Sequence, residues 1–177
     1  MPRLTTDETL AFLAEPGWLL RLATVDDDGM PRLSPVWFTH SVDDGATLGT
    51  VWFTPRERSV FFANLQRDPR VALSIDEDAQ PNRKVSVQGR ARVVFDVGHD
   101  DEWRDRYREI ACRYLDETTA DRYLGATRDQ PRALLAVDLD DATVTTWRMP
   151  VDGEDPTGIW AGRFYADGSR MARIAEG

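Results

Sequence analysis

A basic cluster stands directly after an aromatic and β-branched run in the middle of the chain. Residues 51–54 form that run, which stops at Pro55, and Arg56 and Arg58 follow at once. Ser59 then stands where apolar residues begin to recur at helical spacing, so we expect it to cap a short helix. A helix start with exposed N–H groups and two neighbouring guanidinium groups favours an anion. The pattern therefore predicts a phosphate-binding turn between a strand and a helix.

The other residue types that do chemistry form no recognisable set. Ser34 and Ser86 have no partnered histidine, as a nucleophilic serine would need. The acidic residues 26–28 precede Gly29 and lack the further spaced ligands of a calcium loop, so we interpret them as a hairpin turn. The single cysteine leaves no thiolate set for a metal. A protein whose cofactor carries the chemistry would have such a sequence, and so would a binding protein without activity.

Composition limits the classes of protein to be considered. The 177 residues suit one domain, and the formal charge of −9 argues against nonspecific nucleic-acid binding. No apolar run approaches the length of a membrane span, and the N-terminus lacks the pattern of a secretory signal. With one cysteine, the sequence favours a cytoplasmic protein without disulfides.

The elements that must position the basic turn are mostly strands. Alternating or apolar runs predict six or seven antiparallel strands with two or three inserted helices, which is a β-barrel with peripheral helices rather than a parallel α/β sheet. Gly89 interrupts one strand and suggests a bulge or a close backbone approach. The strands are expected over residues 18–25, 30–40, 46–54, 71–75, 83–95, 133–139 and 143–147.

Three phrases in this order resemble the pyridoxamine 5'-phosphate oxidase-like superfamily, the flavin-binding split β-barrel. They are ATVDDDGMPRLSPVWF, VWFTPRERSVFFANLQRDPRVALSI and KVSVQGRARVV. The most specific pieces are NLxxDPRV at Asn64–Val71 and the A-T-x-D-x-D-G-x-P hairpin at Ala23–Pro31. The resemblance implies a homodimer of six-stranded barrels with cofactor sites at the subunit interface, binding FMN or the deazaflavin coenzyme F420.

The resemblance also implies which residues contact the cofactor. In this family, two strands line the isoalloxazine, and the neighbouring subunit often presents a polar side chain. Carried over to this sequence, the ring strands supply Arg32, Ser34, Val36, Trp37, Phe53 and Thr54, and the neighbouring subunit supplies Lys84. The basic turn described above adds Arg56, Arg58 and Ser59 as candidates for the phosphate, on the evidence of its own residues.

One departure from the family pattern concerns the phosphate. The usual basic pair just inside the short helix is replaced here by Val60 and Phe61. Arg56 and Arg58, or the pair at 83–84, would have to replace that charge. Three functions therefore stay open: an FMN-dependent oxidoreductase, an F420-dependent reductase, or a non-catalytic protein that binds a flavin, heme or another small ligand.

Residues 1–147 are expected to form the barrel. The extension over residues 148–177 carries Trp160 and Tyr165 among glycine, aspartate and proline. We expect it to pack on the barrel or on the dimer partner rather than to extend into solvent.

Overall fold

In residues 2–154 and 165–175, which the computed structural model describes, eight antiparallel strands form one curled sheet. This is the mostly-β split barrel with peripheral helices that the sequence predicts. The strands are β1 (Leu20–Val25), β2 (Pro31–Val36), β3 (Phe38–Ser41), β4 (Thr50–Phe53), β5 (Arg70–Asp76), β6 (Lys84–Phe95), β7 (Leu134–Asp138) and β8 (Thr143–Trp147). The helices are α1 (Thr6–Ala14), α2 (Val60–Arg67), α3 (Arg104–Cys112), α4 (Glu117–Ala126) and α5 (Arg170–Ala175), with a 3-10 turn at Asp100–Glu102.

The long strand β6 holds the two halves of the sheet together. The strand order is β2-β1-β5-β6-β7-β4-β3, and β8 pairs with β6 beside this path. The first half of β6 lies between β5 and β8, whereas its second half pairs with β7. The register shifts between Val93 and Phe95. Gly89 lies near the change of partners, where a Cβ atom would come within 3.1 Å of the Ala142 Cβ atom, so the group that approaches this glycine closely is a side chain rather than backbone.

The barrel interior is built from alternating apolar positions. On β5 the residues Val71, Leu73 and Ile75 point inward and are buried, while their neighbours face outward. Phe38 and Phe53 are fully buried on β3 and β4. Alternation of this kind is what one covered face of an antiparallel sheet requires.

Two strands are shorter than the sequence patterns predict. The segment 30–40 is divided at Trp37 into β2 and β3, so the sheet has eight strands rather than six or seven. The segment 46–54 contributes only β4, because the Asp140 carboxylate accepts the backbone N–H groups of residues 47–49 and holds them in a turn. Gly49 in this turn has φ of 75°, and a Cβ atom there would collide with the Ser41 carbonyl oxygen.

The two phrases that resemble the family contact each other. Asn64 of α2 is 3% exposed, and its Nδ2 donates to Thr24 Oγ1 (3.1 Å) and to Asp26 Oδ1 (2.7 Å). Arg67 donates to the Val25 carbonyl at 2.5 Å. Helix α2 is thereby fixed to the β1–β2 hairpin, which sets the position of the basic turn at its start.

Helices α3 and α4 form a second apolar cluster against β7. Trp103, Tyr107, Leu124 and Leu134 are buried in it. None of the helices in the described ranges is long and apolar enough to cross a membrane. After β8, the N–H of Arg148 donates to Pro2, and Trp160 of the extension lies outside the described residues.

Candidate functional site

A cavity of about 280 Å³ lies between the end of β2, the start of α2 and the helices α3 and α4. Several of the sequence-predicted residues line it: Val36, Trp37, Thr54, Arg56 and Ser59. The remaining walls were not predicted as site residues: Pro35, Phe61, Tyr107, Ile110, Tyr123 and Arg132. The structure therefore brings half of the predicted set together in one concave site.

Trp37 forms one wall because the chain is irregular between β2 and β3. Its ring stacks on Tyr114 with centroids 4.9 Å apart and nearly parallel planes, and it lies 5.5 Å from the Tyr123 ring at a tilt. Tyr114 is itself fixed, since its hydroxyl donates to the Trp18 carbonyl at 2.7 Å. Trp37 is thus held rigidly while it lines the cavity.

The basic turn forms the outer end of the cavity. Ser59 occupies the N-cap position of α2, but its hydroxyl donates to the Arg56 carbonyl (2.8 Å) instead of accepting from the helix. The side chain of Arg56 is exposed, and its backbone forms a β-bridge with that of Arg132. The first N–H groups of α2 have no carbonyls of the helix to bond, as at any helix start. Arg58 is exposed and does not line this cavity.

Other predicted residues lie elsewhere in the protomer. Arg32 forms a bidentate ion pair with Asp26, in which Nε and Nη2 each donate to a carboxylate oxygen at 2.8 Å. This guanidinium lowers the pKa of the Asp26 carboxyl. Phe53 is fully buried in the barrel core. Ser34 is paired with Leu22 on β1 and is partly buried. None of these side chains lines the cavity.

Lys84 begins β6 and contributes to a different concavity. Its ammonium lies 5.8 Å from the centroid of the Trp147 ring. The same concavity is lined by three acidic residues, Asp76, Glu77 and Asp78. The positive charge of Lys84 is therefore surrounded by carboxylates.

Arg132 is the most informative residue that the sequence interpretation missed. It is only 6% exposed, and its guanidinium lies 4.8 Å from the centroid of the Tyr107 ring. Its Nη2 donates to the Tyr123 hydroxyl at 3.0 Å. In the sequence, Arg132 follows Gln130-Pro131 and precedes an apolar strand, a pattern typical of an exposed rim residue. Tyr107 recurs with apolar residues at helical spacing, a pattern that indicates an amphipathic helix and does not single out a site residue.

The cavity is cationic in a chain of net charge −9. Within residues 2–154 and 165–175, no carboxylate lies within 4.0 Å of the guanidinium of Arg56 or Arg132. By contrast, Arg83 and Arg108 each contact two carboxylates. The cavity therefore holds two positive charges that these parts of the chain do not neutralise.

The two tyrosines of the cavity have opposite electrostatic settings. Burial raises the pKa of Tyr107. Burial would also raise the pKa of Tyr123, but the Tyr107 hydroxyl and the guanidinium groups of Arg132 and Arg56 outweigh it, so that the pKa of Tyr123 is lowered. A phenol of this kind donates a hydrogen bond more strongly than an unperturbed tyrosine.

The described residues include no group of three or more His, Cys, Asp or Glu side chains placed to hold a metal ion. The donors in the cavity are guanidinium, hydroxyl and backbone N–H groups. These bind anions rather than cations.

Comparison with known proteins identifies the family of this chain. A family model described as pyridoxamine 5'-phosphate oxidase matches residues 5–146. A solved structure described as an F420 reductase is 26% identical with a TM-score of 0.52, covering 74% of this chain and 93% of that one. A conserved hypothetical protein from Mycobacterium tuberculosis is 24% identical (TM-score 0.57; 82% and 85% covered). A heme storage protein from Vibrio cholerae is 20% identical (TM-score 0.57; 81% and 96% covered). No curated protein matches the sequence at a significant level.

Proposed function

Because the chain belongs to the pyridoxamine 5'-phosphate oxidase family, we propose that it is an oxidoreductase that binds FMN and acts on a small organic substrate. One observation carries the proposal. Residues that the family pattern assigns to the cofactor, at the end of β2 and after β4, line a single cavity together with the basic turn that the sequence predicts at the start of α2.

The residues present fit a phosphorylated planar ring. Arg56 and Ser59 lie at the outer end of the cavity beside the N–H groups of α2, and this combination suits a phosphate. Trp37 and Val36 offer flat apolar contact to a ring. Val60 and Phe61 stand where the family has its basic pair. Val60 is half exposed and Phe61 adds to the apolar wall of the cavity, so the positive charge for the phosphate would come from Arg56 instead. Arg58 lies next to the turn and would strengthen the phosphate contact.

When bound, FMN would supply the hydride or electron transfer. This chain would bind the phosphate, keep the ring against Trp37 and exclude water from its inner edge. Thr54, which lines the same cavity, would donate a hydrogen bond to the ring.

A second subunit would complete the site. A cavity of about 280 Å³ is just below the range for small-molecule sites, roughly 300–1,000 Å³. Leu33 on β2 (65%) and Met30 just before it (61%) are exposed, and exposed apolar patches mark interaction sites. We therefore include homodimerisation in the proposal, with Arg32 and the partner's Lys84 approaching the cofactor across the interface.

Coenzyme F420 is the second candidate. The 26% identity with an F420 reductase over 74% of this chain favours it. The same basic turn would bind the F420 phosphate, and the exposure of Arg56 and Arg58 would leave room for a long anionic tail. A protein that binds either cofactor without turnover would instead be a carrier.

The test is a titration of the purified protein with FMN and with F420, read by thermal stabilisation and by the visible spectrum. We expect one cofactor to stabilise the protein and to bind about one per protomer. The double variant Arg56→Gln/Arg58→Gln should weaken that binding, whereas Arg122→Gln on the exposed face of α4 should not. Wild-type protein that is stabilised by neither cofactor would refute the proposal.

A further inference from the structure

Arg132 is a buried cation whose guanidinium has spare hydrogen-bonding capacity. Its Nε is buried and has no acceptor in the described parts of the chain, and its Nη1 approaches Thr54 only at 3.4 Å and 3.5 Å. The Asp100 carboxylate accepts from the backbone N–H of Arg132 at 2.9 Å, and it forms no ion pair with the guanidinium. Burying a guanidinium without a counter-charge is unfavourable. A bound anion would remove that penalty.

The two cavity tyrosines add further donors beside Arg132. The Tyr123 hydroxyl accepts from Arg132, so its own hydrogen remains available for an acceptor. The Tyr107 hydroxyl is buried beside that of Tyr123, and it forms no hydrogen bond of ordinary geometry with a described residue. Donors therefore outnumber acceptors at the inner end of the cavity, which fits a ligand group that only accepts, such as a carboxylate.

The walls next to these donors are apolar. Phe61 and Ile110 line the cavity alongside Arg132, and they would contact a hydrocarbon or aromatic body rather than a sugar or a peptide. Arg56 and Arg132 both act on Tyr123, but they differ in exposure, because Arg132 is 6% exposed whereas Arg56 is exposed to solvent.

We infer that the inner end of the cavity binds the carboxylate of a small apolar or aromatic organic acid, held by Arg132 and Tyr123, and that this acid is the substrate. The substrate assignment rests on the proposed function, in which the cofactor phosphate is bound at the outer end by Arg56 and Arg58. A guanidinium can bind a carboxylate through two parallel hydrogen bonds, and the Tyr123 hydroxyl supplies a third.

The test uses the full chain, with and without the cofactor that binds, and benzoate as the probe. Benzamide serves as the neutral control of nearly the same shape. Isothermal titration should give saturable benzoate binding, and binding of benzamide should be at least about 10-fold weaker, because it has no charge to pair with Arg132.

Two variants connect the probe to the residues. Arg132→Gln should weaken benzoate binding by about 10- to 100-fold, and Tyr123→Phe by about 5- to 10-fold. Arg122→Gln, on the same helix as Tyr123, should leave it unchanged. If Arg132→Gln does not fold, Tyr123→Phe decides, because the phenyl ring preserves the packing.

The outcomes separate this inference from the proposed function. Benzoate binding lost in the variants, with cofactor affinity retained, supports the inference. If the protein binds benzoate through Arg132 but binds no cofactor, the anion site is supported. The assignment of the acid as substrate then fails, together with the proposed oxidoreductase function. Unchanged benzoate binding in folded variants overturns the inference. Competition between benzoate and cofactor, with cofactor affinity lost in Arg132→Gln, also overturns it, because the anion would then be the cofactor phosphate.

Discussion

At the scale of single residues, the half-buried Arg83 and the buried Arg132 have opposite electrostatic settings. Arg83 contacts Glu15 and Glu77 at 2.7 Å and 2.6 Å, whereas Arg132 has no carboxylate partner in the described residues. Removing an arginine that is paired with carboxylates lowers the free energy of unfolding. A buried arginine without such a partner itself lowers stability, and such residues are retained where function requires them. The same substitution should therefore have different effects at the two positions.

We predict that Arg83→Met lowers the free energy of unfolding by about 1–2 kcal/mol, a value reduced because the ion pairs are partly exposed. Arg132→Met should leave the ligand-free protein at least as stable as wild type, because it removes an uncompensated buried charge. Urea unfolding of both variants measures this. A loss of stability for Arg132→Met equal to that for Arg83→Met would contradict the account of the cavity charge.

Asn64 is the residue through which α2 is fixed to the β1–β2 hairpin. Asn64→Ala should lower the free energy of unfolding by about 1–3 kcal/mol, because the buried side chain loses two hydrogen bonds that it donates to the hairpin and one that it accepts from Arg67. Gln66→Ala, exposed on the same helix, is the matched control and should change stability by less than about 0.5 kcal/mol. Equal stability of the two variants would show that the family phrase does not hold α2 in place.

At the scale of elements, α1 is attached to the barrel partly through Arg83. Its side-chain hydrogen bonds to Glu77 and Glu15 lower the pKa of both carboxyl groups below the ordinary value of 4.5. A carboxyl whose pKa is lower in the folded state binds fewer protons there than in the unfolded state, so stability rises with pH in that range. This contribution is present above the ordinary value and is lost as the pH falls through the folded-state values.

We predict that the stability of wild type falls as the pH is lowered from about 5 to about 3. Glu77→Gln should be less stable at neutral pH and should show a shallower decline in that range. Thermal unfolding at a series of pH values measures both curves. Parallel curves would mean that the Arg83 network contributes nothing to the pH dependence.

The elements also show what the sequence can and cannot predict here. Alternation predicts the strand over residues 71–75, which is β5, and helical spacing after Ser59 predicts α2. The division of residues 30–40 at Trp37 was not predicted, because it depends on stacking against Tyr114 of a distant segment. Arg132 was missed for the same reason, since its burial depends on how α3 and α4 pack against β7.

At the scale of the whole molecule, the surface around β2 carries apolar side chains that the described parts of this protomer leave exposed: Leu33 on the strand and Met30 just before it. Homodimerisation through this face of the molecule would bury both and would bring a second subunit to the cofactor. The cavity of one protomer would then be only part of the binding site.

We predict that wild type sediments at twice the mass of the chain. Leu33→Glu, alone or with Met30→Glu, should shift the protein towards the monomer and weaken cofactor binding together with it, because a charge in an apolar interface is unfavourable. Val42→Glu, at an apolar residue of similar exposure on the β3–β4 connection, should leave the dimer intact. A monomeric wild type, or a Leu33→Glu dimer, would show that this face is not the interface.

We propose that the cavity beside the basic turn binds a phosphorylated flavin-type cofactor. Equilibrium titration with FMN and with F420, followed by quenching of cofactor fluorescence, tests it most directly. We predict that one of the two cofactors saturates the protein near one per protomer. The double variant Arg56→Gln/Arg58→Gln should weaken the affinity for this cofactor, whereas Arg122→Gln should not. Absence of saturable binding for both cofactors, in folded wild-type protein, would contradict it.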